Sequence, residues 1–359
     1  VNLSLTTFRH DVELGEQRAL FLECFPENAG RAPSQREHYY WKFQQYPAKP
    51  HSFEFIARDE AGIVGYYAAL PFSYAVDGTP LRCGMVCDVM TAARMRGKGV
   101  FVKLGAFSLE NLKQAGVDFL TGYPIRPEVI PGHLKVGWSI AFQLPMYLLP
   151  LKSGALLRAR KLGILTPYVN LFLRFLAFAL TLVRTKPVEI STRDFSLQEF
   201  FEKYDYDVFA KQWQEGRKIA LLKTVEFLKW RLSAPETEYR VVCAFRGQNL
   251  SAISIVRSCE LQGVPSLAVL DLMAIEEEQK CANALSVVWK QLALQNGSEV
   301  IVTMMSELHA QNLRLWTLGF LKTPAVFSLI VKCLSERAKK SLALTADHWH
   351  LMWIDSDDL

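Results

Sequence analysis

The 359-residue chain has no C-x-x-C pair, and its seven cysteines, at 24, 83, 87, 243, 259, 281 and 333, are odd in number. This argues against a disulfide framework and for a reducing compartment. Cys83 and Cys87 share one strand face, but no two further zinc ligands accompany them, so the thiols read as buried and free. The sequence also lacks G-x-x-x-x-G-K-[ST], G-x-G-x-x-G and G-x-S-x-G. Those absences exclude a P-loop, a dinucleotide fingerprint and a serine-hydrolase elbow. Charge of one sign is scarce: 41 Lys and Arg stand against 36 Asp and Glu, a net +5, and there is no aromatic-plus-basic RNA motif. Nucleic acid is not the expected partner. Long apolar runs are missing too. The greasiest stretch, 169–183, is 15 residues long and contains Arg174, short of the ~20 residues a membrane span needs. The first 25 residues show no charged-then-apolar leader pattern, so export is not expected.

What is present describes a folded globular protein long enough for two domains, 50% hydrophobic and 21% charged. Amphipathic helices are expected over 8–25 and 37–43. Strands are expected over 53–58, 63–70, 72–76, 85–91 and 117–121, with Pro71 separating two of them and Asp77-Gly78 forming a hairpin turn. The stretch 88–101 stands out. An apolar strand ends in a basic glycine loop, and a helix-like segment opens at Val100. Such an arrangement aims backbone N–H groups and a helix dipole at an anion. Gly97 and Gly99 permit close approach, while Arg94, Arg96 and Lys98 supply positive charge. A pyrophosphate cradle is the expectation.

The run Arg96-Gly97-Lys98-Gly99-Val100-Phe101 resembles the acyl-CoA loop of the GNAT acyltransferases, [Q/R]-x-x-G-x-[G/A], with Phe101 where the family has a small residue. The resemblance implies an α/β (α+β) fold of mixed sheets flanked by helices, and acyl transfer from acetyl-CoA or another acyl-CoA to an amine. It implies that Val89, Met90 and Thr91 hold the pantetheine by their backbone. Arg94, Arg96, Gly97, Lys98, Gly99 and Val100 would then hold the pyrophosphate. Asp88 stands where the family commonly places a base. His133, four residues before Gly137, stands where the family usually has a tyrosine acid, and Tyr123 is a competing donor. No metal is expected.

The second half repeats the first. Phe227-Leu-Lys-Trp230 echoes Tyr40-Trp41-Lys-Phe43, Asp271-Leu-Met273 echoes Asp88-Val-Met90, and Leu318-Gly319-Phe320 echoes Val136-Gly137-Trp138. Trp and Asp stand 47 and 41 residues apart in the two copies, and Asp and Gly 49 and 48. Two tandem GNAT-like domains are expected, at 1–150 and 188–334, with a C-terminal arm at 335–359. The second copy carries Glu276, Glu277 and Glu278 where the first has its glycine loop. Carboxylates there repel a pyrophosphate, so the second copy reads as degenerate. Between the copies, 151–187 holds seven Lys or Arg from 152 to 186 and no acid. It reads either as a helical pair packed on both halves or as a basic, greasy surface for an anionic membrane. The tail 347–359 mixes His348, His350, Asp355 and Asp357 with aromatics, and reads as a packed final strand or arm.

The whole reads as a cytoplasmic acyl-CoA-dependent N-acyltransferase, placed at most at the inner face of a membrane. Proteins with these tandem signatures resemble those that accompany bacterial surface-polysaccharide genes, which makes an amino-sugar precursor a plausible acceptor. Two other readings stay open. One is a Fem-type aminoacyl transferase, and the other is a non-catalytic scaffold or acyl-CoA sensor.

Overall fold

A computed structural model describes residues 3–124, 126–159, 161–172, 175 and 190–357. The chain divides into two compact units, each drawing on separated stretches of sequence. The first comprises 1–142, 217–237 and 328–349; the second comprises 143–216, 238–327 and 350–359.

The first unit runs β1 (Ser4–Thr7), α1 (His10–Cys24), α2 (Arg36–Gln44), β2 (Phe53–Asp59), β3 (Gly62–Val76), β4 (Thr79–Thr91), α3 (Val100–Gln114), β5 (Phe119–Gly122) and α4 (Ile130–Lys135). β1 to β4 pair antiparallel in sequence order, and β5 joins β4 in parallel across the α3 crossover. The end of a late strand, Leu321–Cys333, pairs antiparallel with β5 at Ile330 to Cys333. The sequence boundaries hold within a few residues, with two corrections. β4 starts at Thr79 directly after the hairpin turn, six residues ahead of the expected 85–91 strand. Pro71 does not divide β3, which runs unbroken for 15 residues. The β2 ladder ends at Phe53↔Ala69, so no strand asks for an N–H from Pro71 on that side. At the β3–β4 turn Asp77 (φ 46°) and Gly78 (φ 74°) are both left-handed, as a tight hairpin requires.

β3 sorts the unit's two faces. Gly65 faces α3: a methyl group there would lie 3.1 Å from both Leu104 and Val100. Tyr66 points the other way, toward Phe8. α3 is held down by Val100, Leu104, Leu109 and Leu112, a stripe at helical spacing.

The second unit repeats this order. Its strands are the end of β6 (Ser139–Pro150), β7 (Ile190–Phe195), and three antiparallel strands, Tyr239–Arg246, Asn249–Leu261 and Val264–Ala274. The helix Glu278–Gln295 then leads to a parallel strand, Val300–Met304, which β6 pairs antiparallel. Trp289, Leu285 and Leu292 of that helix fill the core with Val242, Leu267 and Ile301. Mixed sheets flanked by helices are thus the fold of both units. Within the expected insertion 151–187, residues 160, 173–174 and 176–187 lie outside the described residues. Within them Gly154–Ala159 is a short helix, with Glu299 accepting from the Ala155 N–H at 2.5 Å. Among the described residues no helix is long and apolar enough to cross a membrane.

The repeated tryptophans meet inside the first unit. Trp41 of α2 and Trp230 of the helix Val225–Arg231 stack with ring centroids 5.3 Å apart and planes 12° from parallel. Each indole donates to the other's backbone carbonyl, Trp41 Nε1 to Trp230 O at 2.7 Å and Trp230 Nε1 to Trp41 O at 2.8 Å. Both are buried. Replacing either by Phe removes one of these two buried bonds. The Trp230 carbonyl still accepts from the Ser233 N–H at 3.1 Å and Ser233 Oγ at 2.9 Å when the Trp41 indole is gone. Trp230→Phe should therefore lose about 1–3 kcal/mol in urea unfolding, and Trp41→Phe less. A larger loss in Trp41→Phe would contradict that asymmetry.

Candidate active site

β4 and β5 pair over only four residues, Cys83↔Phe119 to Val86↔Gly122. Beyond Val86 the pairing stops, because β4 bulges. The register against β3 slips between Tyr66↔Met90 and Ala68↔Cys87, and Asp88 takes the left-handed conformation (φ 48°). Asp is one of the few residues that tolerates it. Val89, Met90 and Thr91 follow the bulge, with Met90 and Thr91 still laddered to β3. Their other edge faces the gap past the end of β5. A strand edge of this kind offers its N–H and C=O groups to an extended ligand.

The Asp88 carboxylate is held by Lys42 Nζ at 2.9 Å, with side-chain exposures of 14% and 7%. Burial pushes the Asp88 carboxyl up, but Lys42 and Arg18 outweigh it and leave its pKa below the ordinary value. Asp271 holds the corresponding place in the second unit without the left-handed backbone. It sits beside the register slip at Ile255/Val256, fully buried, and accepts from the Leu272 N–H at 3.0 Å. Asp88→Asn keeps a side chain that tolerates the left-handed conformation, yet leaves Lys42 buried without its counter-charge. We expect a loss of about 3–5 kcal/mol in urea unfolding. An unchanged stability would deny the pair its part in holding the bulge.

Past Thr91 the chain makes a single turn, Ala93–Met95, and then the exposed run Arg96 to Gly99. Gly97 (φ 75°) and Gly99 (φ 79°) are both left-handed and face open space. Gly99 starts α3 with no side-chain cap, so the first-turn N–H groups at Val100 keep their donors for a ligand. The basic residues divide their tasks. Arg94 is committed elsewhere, gripping Asp59 through both of its terminal nitrogens at 2.5 and 2.8 Å. Arg96 Nε reaches the Thr91 carbonyl at 3.3 Å, which brings its guanidinium to the end of the gap.

Phe101 turns away from the loop. Its ring packs against α4, where a methyl group on Gly132 would lie 2.6 Å from it, and edge-on to His133 at 5.0 Å. The bulky residue in the motif's last place therefore serves α3–α4 packing. His133 is buried between Phe101 and Trp138, whose ring lies 4.9 Å away, and Tyr67 is 6.4 Å off. Gly137 (φ 83°) ends α4 and lets Trp138 fold back, its N–H bonding the His133 carbonyl at 3.2 Å. Gly319 (φ 94°) does the same for the helix Leu315–Leu318.

Burial pushes the His133 imidazole down to about 4, so it is neutral at pH 7. Among the described residues its Nδ1 meets no hydrogen-bond partner, and neither does the Tyr67 hydroxyl. Tyr123, just past β5, is buried with its hydroxyl 3.4 Å from that of Tyr74. Sequence reasoning missed Lys42 and Tyr67. Lys42 was visible only as part of the repeated Trp-Lys pair, and Tyr67 carries no motif. Folding thus brings Asp88, Val89–Thr91, Arg96–Val100 and Lys42 together around one gap, and gathers His133, Tyr67 and Phe101 behind it. Arg94 is drawn aside.

Because the folded pKa of His133 lies below its ordinary 6.5, the unfolded chain binds this proton first. The stability it confers is full above about pH 6.5 and is lost as pH falls toward 4, by up to ~1.4 kcal/mol per pH unit. The urea midpoint should drop between pH 7 and 5, and His133→Gln should flatten that drop. An equal drop in both proteins would mean that the folded imidazole is not held neutral.

Residues 10–141 match the family model of the acetyltransferase (GNAT) domain. No curated protein matches the sequence significantly. The fold is similar to that of several solved structures. A GCN5-related N-acetyltransferase from Anabaena variabilis superposes with a TM-score of 0.64 at 11% identity, over 93% of this chain and 73% of that one. A tandem GNAT protein from the clavulanic acid biosynthesis pathway gives 0.60 at 14% identity, over 93% and 99%. The Saccharomyces cerevisiae N-myristoyltransferase with bound myristoyl-CoA gives 0.58 at 12% identity, over 92% and 78%. Residues 10–141 are therefore similar in sequence to the acetyltransferase (GNAT) domain, and the chain shares its fold with these GNAT proteins.

Proposed function

We propose that the chain is an acyl-CoA-dependent N-acyltransferase working in its first unit, with acetyl or another short acyl group as cargo. The observation that carries this reading is the early end of β4–β5 pairing, at Val86 and Gly122, on the same side as the uncapped glycine turn that opens α3. A ligand with an extended amide-bearing arm and a pyrophosphate matches those two features in order. In this reading the arm ladders onto Val89, Met90 and Thr91. The pyrophosphate lies over Gly97, Gly99 and Val100, with Arg96 and Lys98 as counter-charges. The second copy, with Glu276 to Glu278 at that place, plays no part in donor binding.

The reaction joins an amine nitrogen to the thioester carbonyl carbon, breaks the carbon–sulfur bond and carries the proton lost by the nitrogen to the leaving sulfur. The Tyr67 and Tyr123 hydroxyls are the candidate proton donors to the thiolate, and His133, held neutral, can serve only as a relay that passes on a proton it first accepts at a ring nitrogen. Asp88 in its ion pair is a weak base, so its contribution is to hold the bulge and present charge near the incoming amine. The acceptor is proposed to be a small amine, such as an amino-sugar precursor of a surface polysaccharide. The protein would then act in the cytoplasm or at the inner face of the membrane, reached through 151–187. The two repeats, 1–150 and 188–334, are proposed as diverged copies of one module, followed by an arm at 335–359.

The test is a thermal-shift series with CoA, acetyl-CoA, octanoyl-CoA and palmitoyl-CoA on the native chain and on Arg96→Glu. A donor at ~100 times its dissociation constant should stabilise the native chain by about 2.7 kcal/mol. Arg96→Glu should lose that shift while keeping its unliganded melting temperature. An equal shift in the variant would remove the loop from the site, and no shift with any donor would overturn the reading. Binding without turnover across amines would favour a non-catalytic acyl-CoA sensor, which the locked Asp88 also suits.

A further inference from the structure

In the second unit three side chains from three separate elements converge. Glu278 opens the helix Glu278–Gln295, His309 lies on the helix Glu307–Asn312, and His350 ends the short strand Trp349–His350. One ligand atom from each lies within 4.8 Å of the others. His309 Nε2 is 3.0 Å from Glu278 Oε1, and His350 Nε2 is 3.8 Å from that same oxygen. The two imidazole rings are 5.0 Å apart, and both histidines are buried.

We propose that Glu278, His309 and His350 hold a divalent transition metal, with Zn²⁺ the best fit. Two imidazoles and one carboxylate form a donor set zinc favours, with a fourth position left for water. In a tetrahedral site with bonds near 2.0–2.1 Å, ligand atoms stand about 3.3 Å apart. The present spacings bracket that value, so side-chain rotations suffice to close the site. A simple ion pair explains only one imidazole at the carboxylate; here a second also turns its Nε2 to the same oxygen.

The scaffold around the three donors is built to hold them. Ser306 Oγ accepts from the His309 N–H at 3.2 Å and fixes the helix start. Met305 and Met352 bridge as antiparallel strands, tying the segment after His350 to the segment before His309. The Trp213 ring stands edge-on to His350 at 4.9 Å and limits its rotation. The site occupies the helix start that, in the first unit, carries the glycine loop. The copy that lost its anion cradle gained a cation site, and the metal would pin the 350–357 segment to the second unit.

The test uses the full chain. Metal content is measured by mass spectrometry after purification in zinc-supplemented medium, and Co²⁺ is titrated into chelator-treated protein. We expect about one metal per chain, a tetrahedral-type Co²⁺ absorption band, and a melting temperature that falls with chelator and recovers with Zn²⁺. His309→Ala and His350→Ala should each retain under about a tenth of the metal and lose the response to chelator. If neither variant folds, the chelator and Co²⁺ measurements on the native chain decide. Metal-free native protein with no Co²⁺ band would overturn the proposal, as would full metal content in both folded variants.

Discussion

The bulge at Asp88 is the constraint on which the first unit's site depends. Parallel β4 and β5 would otherwise continue side by side, sealing the edge with ladder hydrogen bonds. A left-handed residue at position 88 breaks the register and frees the edge of Val89 to Thr91. That conformation costs energy for any L-residue. The buried Lys42–Asp88 pair opposes the cost, because unmaking the bulge would break a buried ion pair. Lys42 comes from α2, next to Trp41, whose indole is locked against Trp230. Stacked tryptophans, ion pair, bulge and open edge thus form one mechanical chain.

The same devices appear in both units, while only the first has a glycine turn ahead of its long helix. Both copies have an Asp at the bulge, a left-handed glycine ending a short helix, and a helix after the third antiparallel strand. These features serve packing and topology, so either copy would lose stability without them. The loop before the long helix serves no packing purpose. In the first unit it is glycine-rich and exposed. In the second it is acidic, with Glu277 neutralised by Arg246 and Lys280. That loop forms an electrostatic clasp beside the Glu278, His309 and His350 cluster.

Much of the fold was legible because its signals are local. The Asp77-Gly78 turn, the apolar stripe of α3, and Gly137 after α4 each follow from what a few adjacent residues can adopt. The repeat was legible because spacing survives when side chains drift. Pro71 misled because a missing N–H matters only where a neighbouring strand needs it, and strand neighbours are not written in sequence. The glycine turn ahead of α3 was legible, but the diversion of Arg94 to Asp59 was not, since 35 residues separate the partners.

By itself the sequence determined the fold class, the doubling and the place of the glycine loop, all of which rest on short-range pattern. Only the tertiary structure decided what surrounds each polar group. It gave Asp88 its lysine, stripped His133 of water, turned Phe101 onto α4, and drew Glu278, His309 and His350 together from positions up to 72 residues apart. Charge, protonation and ligand geometry depend on neighbours within a few ångströms, and for these residues the chain supplies those neighbours only when it has folded.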